Sequence, residues 1–243
     1  MQGIMGLVSK KNKQAWGAML HIGCVACCEK KYSMEPIVKL ANVIISIESL
    51  KTIFYWLNYQ KSISTSNLLC ESYMKIPLVE CLERKLKAQV KTEVPHPCFS
   101  SRSVDLAYQN AIAGRKGYIE LKYIRKNTAY NNEHQRIMND LFRLYLAGKE
   151  KVDTANYFVV AGEAEDFDSC FKNTGFAEYF PWEDDEYAKR TDYQEYWEEF
   201  CKVYKYENEP ESLKKFKIQF VALYPDDESK ENVSMKVCAW RII

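Results

Sequence analysis

The apolar positions of this chain change period several times, and the changes mark its elements. From 36 to 60, Ile37, Leu40, Ile44, Ile47, Leu50, Phe54 and Leu57 recur at helical spacing, and Pro36 suits a first turn. Lys39, Glu48 and Lys51 interrupt that stripe, so it predicts a core helix and not a membrane span. Ser62 to Asn67 is polar and predicts a loop. A second helix is expected over 71–91, where Leu78, Leu82, Leu86 and Val90 stand one turn apart and Pro77 starts or bends it. Then the period falls to two. Val90, Thr92 and Val94 alternate until Pro95 and Pro97 end the run. Residues 102–126 read as two strands joined by a turn over Asn110 to Lys116. In the first, Val104, Leu106 and Tyr108 alternate with Asp105 and Ala107; in the second, Tyr118, Glu120 and Lys122 share one face and Ile119, Leu121 and Tyr123 the other. Helical spacing returns over 132–147 with Ile137, Leu141, Leu144 and Tyr145, and Gly148 is the expected stop. Tyr157 to Ala161 is continuously apolar, which predicts a strand covered on both faces. Two more strands are expected at Lys217–Leu223 and Ser234–Ile242, joined by a polar loop around Pro225-Asp226-Asp227.

The order strand, strand, helix, strand predicts an α/β fold with a mixed sheet flanked by helices. If the central hairpin pairs antiparallel, Asp105 lies beside Glu120 and Lys122. Two carboxylates and an amine on one patch can hold a divalent cation and a water. A structural ion pair between Glu120 and Lys122 is the alternative, because exposed strand faces commonly carry opposite charges.

Asp105 followed, 15 positions on, by Glu120-Leu121-Lys122 resembles the PD-(D/E)XK nuclease superfamily and its restriction-endonuclease-like fold. The resemblance covers roughly 70–160 and extends to the last strands. Its context separates this Glu-x-Lys from the others at Glu29, Glu83 and Glu228, none of which sits in an alternating strand behind an acid-bearing one. One departure is Val104, where the family pattern has Pro. The resemblance implies Asp105, Glu120 and the Leu121 carbonyl as ligands of Mg²⁺ or Mn²⁺, and Lys122 as the residue that positions water or neutralises charge on phosphorus. It also implies a carboxylate from the preceding helix, for which Glu80 is the candidate and Glu83 the reserve. The implied activity is hydrolysis of phosphodiester bonds, with DNA as the expected substrate. Arg115 and Lys116 at the hairpin tip, and Gln135, Arg136 and Arg143 on the following helix, are the candidates for nucleic-acid contact. A catalytically inactive relative acting as a nucleic-acid or protein-binding module is the alternative, since fold does not entail function. An RNA-directed nuclease is a further possibility.

Composition adjusts this picture in a few places. A net charge of +1 over 243 residues gives no global basic field, so nucleic-acid binding needs a local patch. Nine cysteines without a repeated spacing suggest reduced, buried thiols in a cytoplasmic protein. Residues 163–211 are acidic, with Glu183-Asp184-Asp185-Glu186, and aromatic, with Tyr193, Tyr196, Trp197 and Phe200 at helical spacing. The stripe predicts an aromatic face packed on the domain; a surface for a protein partner, or an acidic flap competing with nucleic acid, is the other reading, and a homo-oligomer is a further candidate partner. No Gly-x4-Gly-Lys-Ser/Thr motif occurs, so any motor would be a separate protein.

The N-terminus reads differently. Lys10, Lys11 and Lys13 before an uncharged run to Cys28 have the outline of a signal peptide, but Gln14, Trp16 and His21 interrupt it and no small-x-small site follows. His21, Cys24, Cys27 and Cys28 could reach one zinc ion, or the thiols could pack inward from an amphipathic segment. The chain therefore divides into an N-terminal extension over 1–33, a helical region over 34–69, and a nuclease-like α/β domain over 70–243 with the acidic aromatic insertion.

Overall fold

A computed structural model describes residues 44–63, 69–110, 114–126, 130–149, 154–184, 186–207, 210–225 and 234–243. The extension over 1–33, its possible zinc ligands, residues 36–43 of the expected first helix and the tip of the central hairpin lie outside these residues. In chain order the elements are α1 (Ile47–Ile63), α2 (Glu71–Leu86), β1 (Ala88–Pro95), β2 (Ser103–Asn110), β3 (Lys116–Ile124), α3 (Tyr130–Lys149), β4 (Asn156–Glu163), α4 (Ala164–Phe171), α5 (Gln194–Tyr204), a single turn α6 (Pro210–Leu213), β5 (Ile218–Tyr224) and β6 (Met235–Ile242). The six strands form one sheet in the order β1-β2-β3-β4-β6-β5. β3 and β4 are parallel, joined by a crossover through α3, and every other neighbouring pair is antiparallel.

Each face of the sheet is covered by helices. Ile119, Leu121 and Tyr123 of β3 point to one side, where Leu50, Ile53 and Leu57 of α1 and Met74, Leu78 and Leu82 of α2 meet them and Val159, Val237 and Ala239. Thus α1, from the segment 34–69, shares the core of the sheet. On the other side Ile124, Val160 and Trp240 pack under α3, α4 and α5. β4 runs between these layers and is buried along nearly its whole length, as its continuous apolar run requires. The aromatic stripe of 163–211 is part of this second layer: Tyr193, Trp197 and Phe200 are buried with Phe171, Phe176 and Phe180. Among the described residues no helix is long and apolar enough to cross a membrane.

Several boundaries differ from the sequence reading. α1 begins at Ile47, since residues 44–46 are not helical, and it runs to Ile63, into the polar stretch expected as a loop. α2 stops at Leu86, because Lys87 turns left-handed (φ 52°) and bonds its N–H to the Leu82 carbonyl. The freed residues extend β1 backward to Ala88, so Val90 belongs to the strand and not to the helix. Gly148 does not stop α3 but lies inside it, where a Cβ would come within 2.6 Å of Asn156 Nδ2. Asn156 uses that closeness. Its amide donates to the Leu144 carbonyl (2.5 Å) and accepts from the Tyr118 N–H (3.0 Å), clamping α3 to β3.

Candidate functional site

The central hairpin is not zipped to its end. β2 and β3 pair from Gln109↔Lys116 to Leu106↔Ile119 and no further. The next register position would set Asp105 against Glu120. There side chains replace the backbone ladder: Leu121 N–H donates to Asp105 Oδ2 (2.8 Å), and Asp105 N–H donates to Glu120 Oε2 (3.3 Å). On the other edge of β2, the ladder to β1 runs through Thr92↔Leu106 and Val94↔Val104 but skips Asp105, opposite Glu93 with its left-handed φ of 50°. Val104 and Leu106, two positions apart, would share a face in a regular strand, yet they join opposite cores. The chain therefore twists across Asp105, which sits in a fork between strands while β3 stays straight against β4.

Charges from both helical layers close on this fork. α2 contributes Lys75, whose Nζ lies 2.9 Å from Asp105 Oδ1 and also meets Glu93. α3 contributes Arg143, whose Nη2 holds Glu120 Oε1 (2.6 Å) and Asp140 Oδ1 (2.7 Å) while Nη1 donates to the Ser103 carbonyl (3.2 Å). Lys122 Nζ lies 3.1 Å from Glu133 Oε1 and 3.9 Å from Glu71 Oε1. His96, just after β1, helps fix α3. Its Nδ1 accepts the Cys98 N–H, so Nε2 carries the proton and donates to the Arg143 carbonyl (3.0 Å). Burial holds the His96 pKa down to about 4, so this donor stays neutral.

The electrostatics show a local excess of negative charge. Burial raises the Glu120 pKa well above its ordinary 4.5; the Asp140 and Asp105 charges raise it further, and Arg143 opposes them. Burial likewise raises Asp140, against Arg143 and Lys122. Burial alone would lower the Lys122 pKa, but Asp140, Glu133 and Glu71 outweigh it, and the ammonium is stabilised. With every carboxyl ionised, Asp105, Glu120, Asp140, Glu133 and Glu71 facing Lys75, Lys122 and Arg143 would leave two negative charges unbalanced, an excess that the raised pKa values of Glu120 and Asp140 reduce. At the rim, exposed Glu93 and Arg136 cancel each other. The Glu120 side chain is only 5% exposed, whereas Asp105 (18%) and Lys122 (15%) reach the surface.

The structure joins Asp105 and Glu120 directly, with Leu121 bound to Asp105 through its N–H, whereas Lys122 pairs with Glu133 and Glu71 and meets the other acids through the charge of Asp140. It does not bring Glu80 or Glu83 there. Glu80 is exposed on α2, with Arg84 4.0 Å away, and Glu83 is exposed beside it. The carboxylate that α2 does deliver is Glu71, one turn before Lys75, at the helix end nearest β3; it also accepts the Tyr123 N–H (3.4 Å). Gln135 is committed elsewhere, donating to Asn139 Oδ1 and to the Tyr196 carbonyl. Arg136 is exposed against Glu133, and Lys116 is exposed at the start of β3, about 13 Å along the strand from Glu120. Arg115 is half-buried next to it. Glu133, Asp140 and Arg143 recur at i, i+7 and i+10, one face of a helix, and that spacing was the available signal for the α3 contribution.

No family model, no curated protein and no solved structure matches the chain. The fork and its charges therefore carry the functional argument by themselves.

Proposed function

We propose that the chain is a metal-dependent nuclease of the PD-(D/E)XK kind, hydrolysing phosphodiester bonds, with DNA as the expected substrate. The observation that carries the reading is the fork: Asp105 and Glu120 bridge two diverging strands, with Lys122 one step further along the same face of β3. The topology supports a restriction-endonuclease-like architecture. A helix precedes a three-stranded meander and a crossover helix leads to a parallel strand, with β2 and β6 running against β1, β3, β4 and β5.

The residues fit a hard divalent cation. Among the described residues no three acidic, imidazole or thiolate groups converge as a full cage, but Mg²⁺ is ordinarily held by one or two carboxylates with waters and substrate phosphate. Asp105 and Glu120 would supply those carboxylates and Leu121 a carbonyl. A dication would supply the two positive charges the fully ionised cluster lacks and polarise the phosphoryl oxygen. The protein's own groups do the rest. Lys75 fixes Asp105 and Arg143 fixes Glu120 through one oxygen each. Lys122, with its ammonium form stabilised, acts as a fixed cation toward charge developing on phosphorus and not as a base. The buried thiols Cys81, Cys170, Cys201 and Cys238 suit a reducing compartment, so the cytoplasm is the proposed location.

A second reading has its own observation. Every oxygen of Asp105 and Glu120 already meets a protein donor, the arrangement of a structural ion-pair network in a binding scaffold. One experiment separates the two. The purified chain is incubated with single- and double-stranded DNA and RNA in Mg²⁺, Mn²⁺ or EDTA, beside Asp105→Asn, Glu120→Gln and Lys122→Gln. The nuclease reading requires cutting that EDTA and each substitution abolish. Cutting that survives Glu120→Gln refutes the residue assignment, and no cutting with no Mn²⁺-dependent gain in melting temperature leaves the scaffold.

A further inference from the structure

Beyond the fork, the turn between β1 and β2 and the C-terminal end of α5 enclose a cleft of about 390 Å³. Ligand sites begin at roughly this size, about 300 Å³. Its lining contains two cations, Arg102 and Lys205, and no carboxylate. Both are exposed, and among the described residues neither has an acidic group within ion-pair distance. Arg102 is nevertheless held: its guanidinium lies over the Tyr204 ring, 5.3 Å from the centroid. A guanidinium steadied on an aromatic face keeps its fork of donors for a phosphate. The wall behind it is aromatic. Tyr204 stands 5.2 Å from Phe99 and is stacked 4.6 Å from Phe200, ring centre to ring centre. Cations interleaved with aromatic rings are the composition of a single-strand site, where the base stacks and the phosphate is neutralised.

The cleft lies close to the fork along the chain. Arg102 lies three residues before Asp105, about 10 Å along extended chain. Arg143 donates to the Ser103 carbonyl, beside Arg102, with the same guanidinium that grips Glu120.

We infer that the cleft formed by Phe99, Arg102, Tyr204 and Lys205 holds one unpaired nucleotide of a nucleic-acid strand next to the phosphate presented to Asp105 and Glu120. This rests on the nuclease reading for its neighbour, and it makes the enzyme selective for single strands or unpaired ends.

The test is binding without cutting. The full chain is titrated in EDTA against fluorescein-labelled single-stranded DNA, single-stranded RNA and the blunt DNA duplex of the same sequence, read by anisotropy. Single strands should bind more tightly than the duplex, and the DNA and RNA arms show which strand is preferred. Arg102→Gln, at an exposed position that the fold does not need, should weaken single-strand binding roughly tenfold and lower the salt slope by about 0.7, one phosphate contact. Tyr204→Leu should weaken it comparably while Tyr204→Phe, which keeps the ring, should not; melting temperatures verify that both fold. The inference is overturned if Arg102→Gln and Tyr204→Leu bind single strands as the parent does, if the duplex binds as tightly, or if the parent binds no strand. Cutting in Mg²⁺ that is indifferent to Arg102 and Tyr204 would leave the nuclease reading standing and remove this one. Arg102-dependent binding without cutting would do the reverse.

Discussion

Replacing Arg143 by Leu is the most informative perturbation of the fork. The guanidinium is 11% exposed and serves two carboxylates at 2.6 and 2.7 Å, one of them on the 5%-exposed Glu120. Removing one partner of a buried pair costs about 3–5 kcal/mol, because the other charge is left desolvated without compensation. That cost depends on the carboxylates being ionised. Glu120 and Asp140 already have pKa values raised above their ordinary 4.5 and 3.8, and Arg143 opposes the rise in both. Its loss moves both higher still. A raised carboxyl makes the folded state bind more protons than the unfolded one, so stability falls as pH climbs from the ordinary value through the folded one. Below the ordinary values both states are protonated and the penalty vanishes. The deficit of Arg143→Leu should therefore be the full 3–5 kcal/mol near pH 8 and shrink to about 1 kcal/mol near pH 3, where only hydrogen bonds are lost. Urea denaturation at both pH values reads it as a shift in midpoint at constant m. Adding Glu120→Leu should return part of the loss at pH 8, since the stranded carboxylate is gone and Asp140 keeps Lys122 as a neighbouring cation. An equal deficit at both pH values, or a loss under about 1 kcal/mol at pH 8, would refute the charge assignment.

Three other outcomes are expected. Mn²⁺ should raise the melting temperature of the parent and not of Glu120→Gln, and the gain should grow from pH 6 to pH 8, because the raised Glu120 pKa makes protons compete with the cation; a gain independent of Glu120 places the cation elsewhere. Lys122→Gln should lower the single-turnover cutting rate at least about 100-fold with strand affinity little changed, whereas a defect confined to affinity would make Lys122 a binding residue only. Asn156→Ala should cost about 2–3 kcal/mol in urea titration, because it strands the Tyr118 N–H and the Leu144 carbonyl in the core; a change below about 0.5 kcal/mol would mean that water replaces the clamp.

The layers were legible in the sequence because burial writes itself into periodicity. β3 alternates between its two cores residue by residue, and β4 shows no alternation because both of its sides are covered. What periodicity cannot show is where a pattern yields to a local backbone choice. Val90 continues the i+4 leucine spacing of α2, yet the left-handed turn at Lys87 assigns it to β1. Gly148 has the look of a helix stop, but its missing side chain makes room for Asn156, a residue from the next strand that no local reading could pair with it. The first case is decided by a local bond, Lys87 N–H to the Leu82 carbonyl, and the second by the two bonds of Asn156 to distant segments; neither leaves a period.

The site divides in the same way. The nearness of Asp105 and Glu120 was legible because strand alternation and hairpin register are local properties. Their charge partners were not, because each comes from a helix whose approach is set by the sheet beneath it. Glu80 fits the midpoint of α2 on paper, but the Leu78 and Leu82 side chains must face the sheet, and that leaves Glu80 in solvent. The N-terminal turn of α2 is the part that reaches β3, so Glu71 and Lys75 arrive there. The same logic makes Arg143 more than a spare basic residue. It sits where α3 crosses the fork, and it alone touches Glu120, Asp140 and the Ser103 carbonyl, which leads into the cleft at Arg102. A side chain that joins the acids to the neighbouring cleft is the one whose removal should disturb both. The pH dependence of Arg143→Leu and the strand affinity of Arg102→Gln are thus two readings of one network, and they should fail separately only if the fork and the cleft are independent.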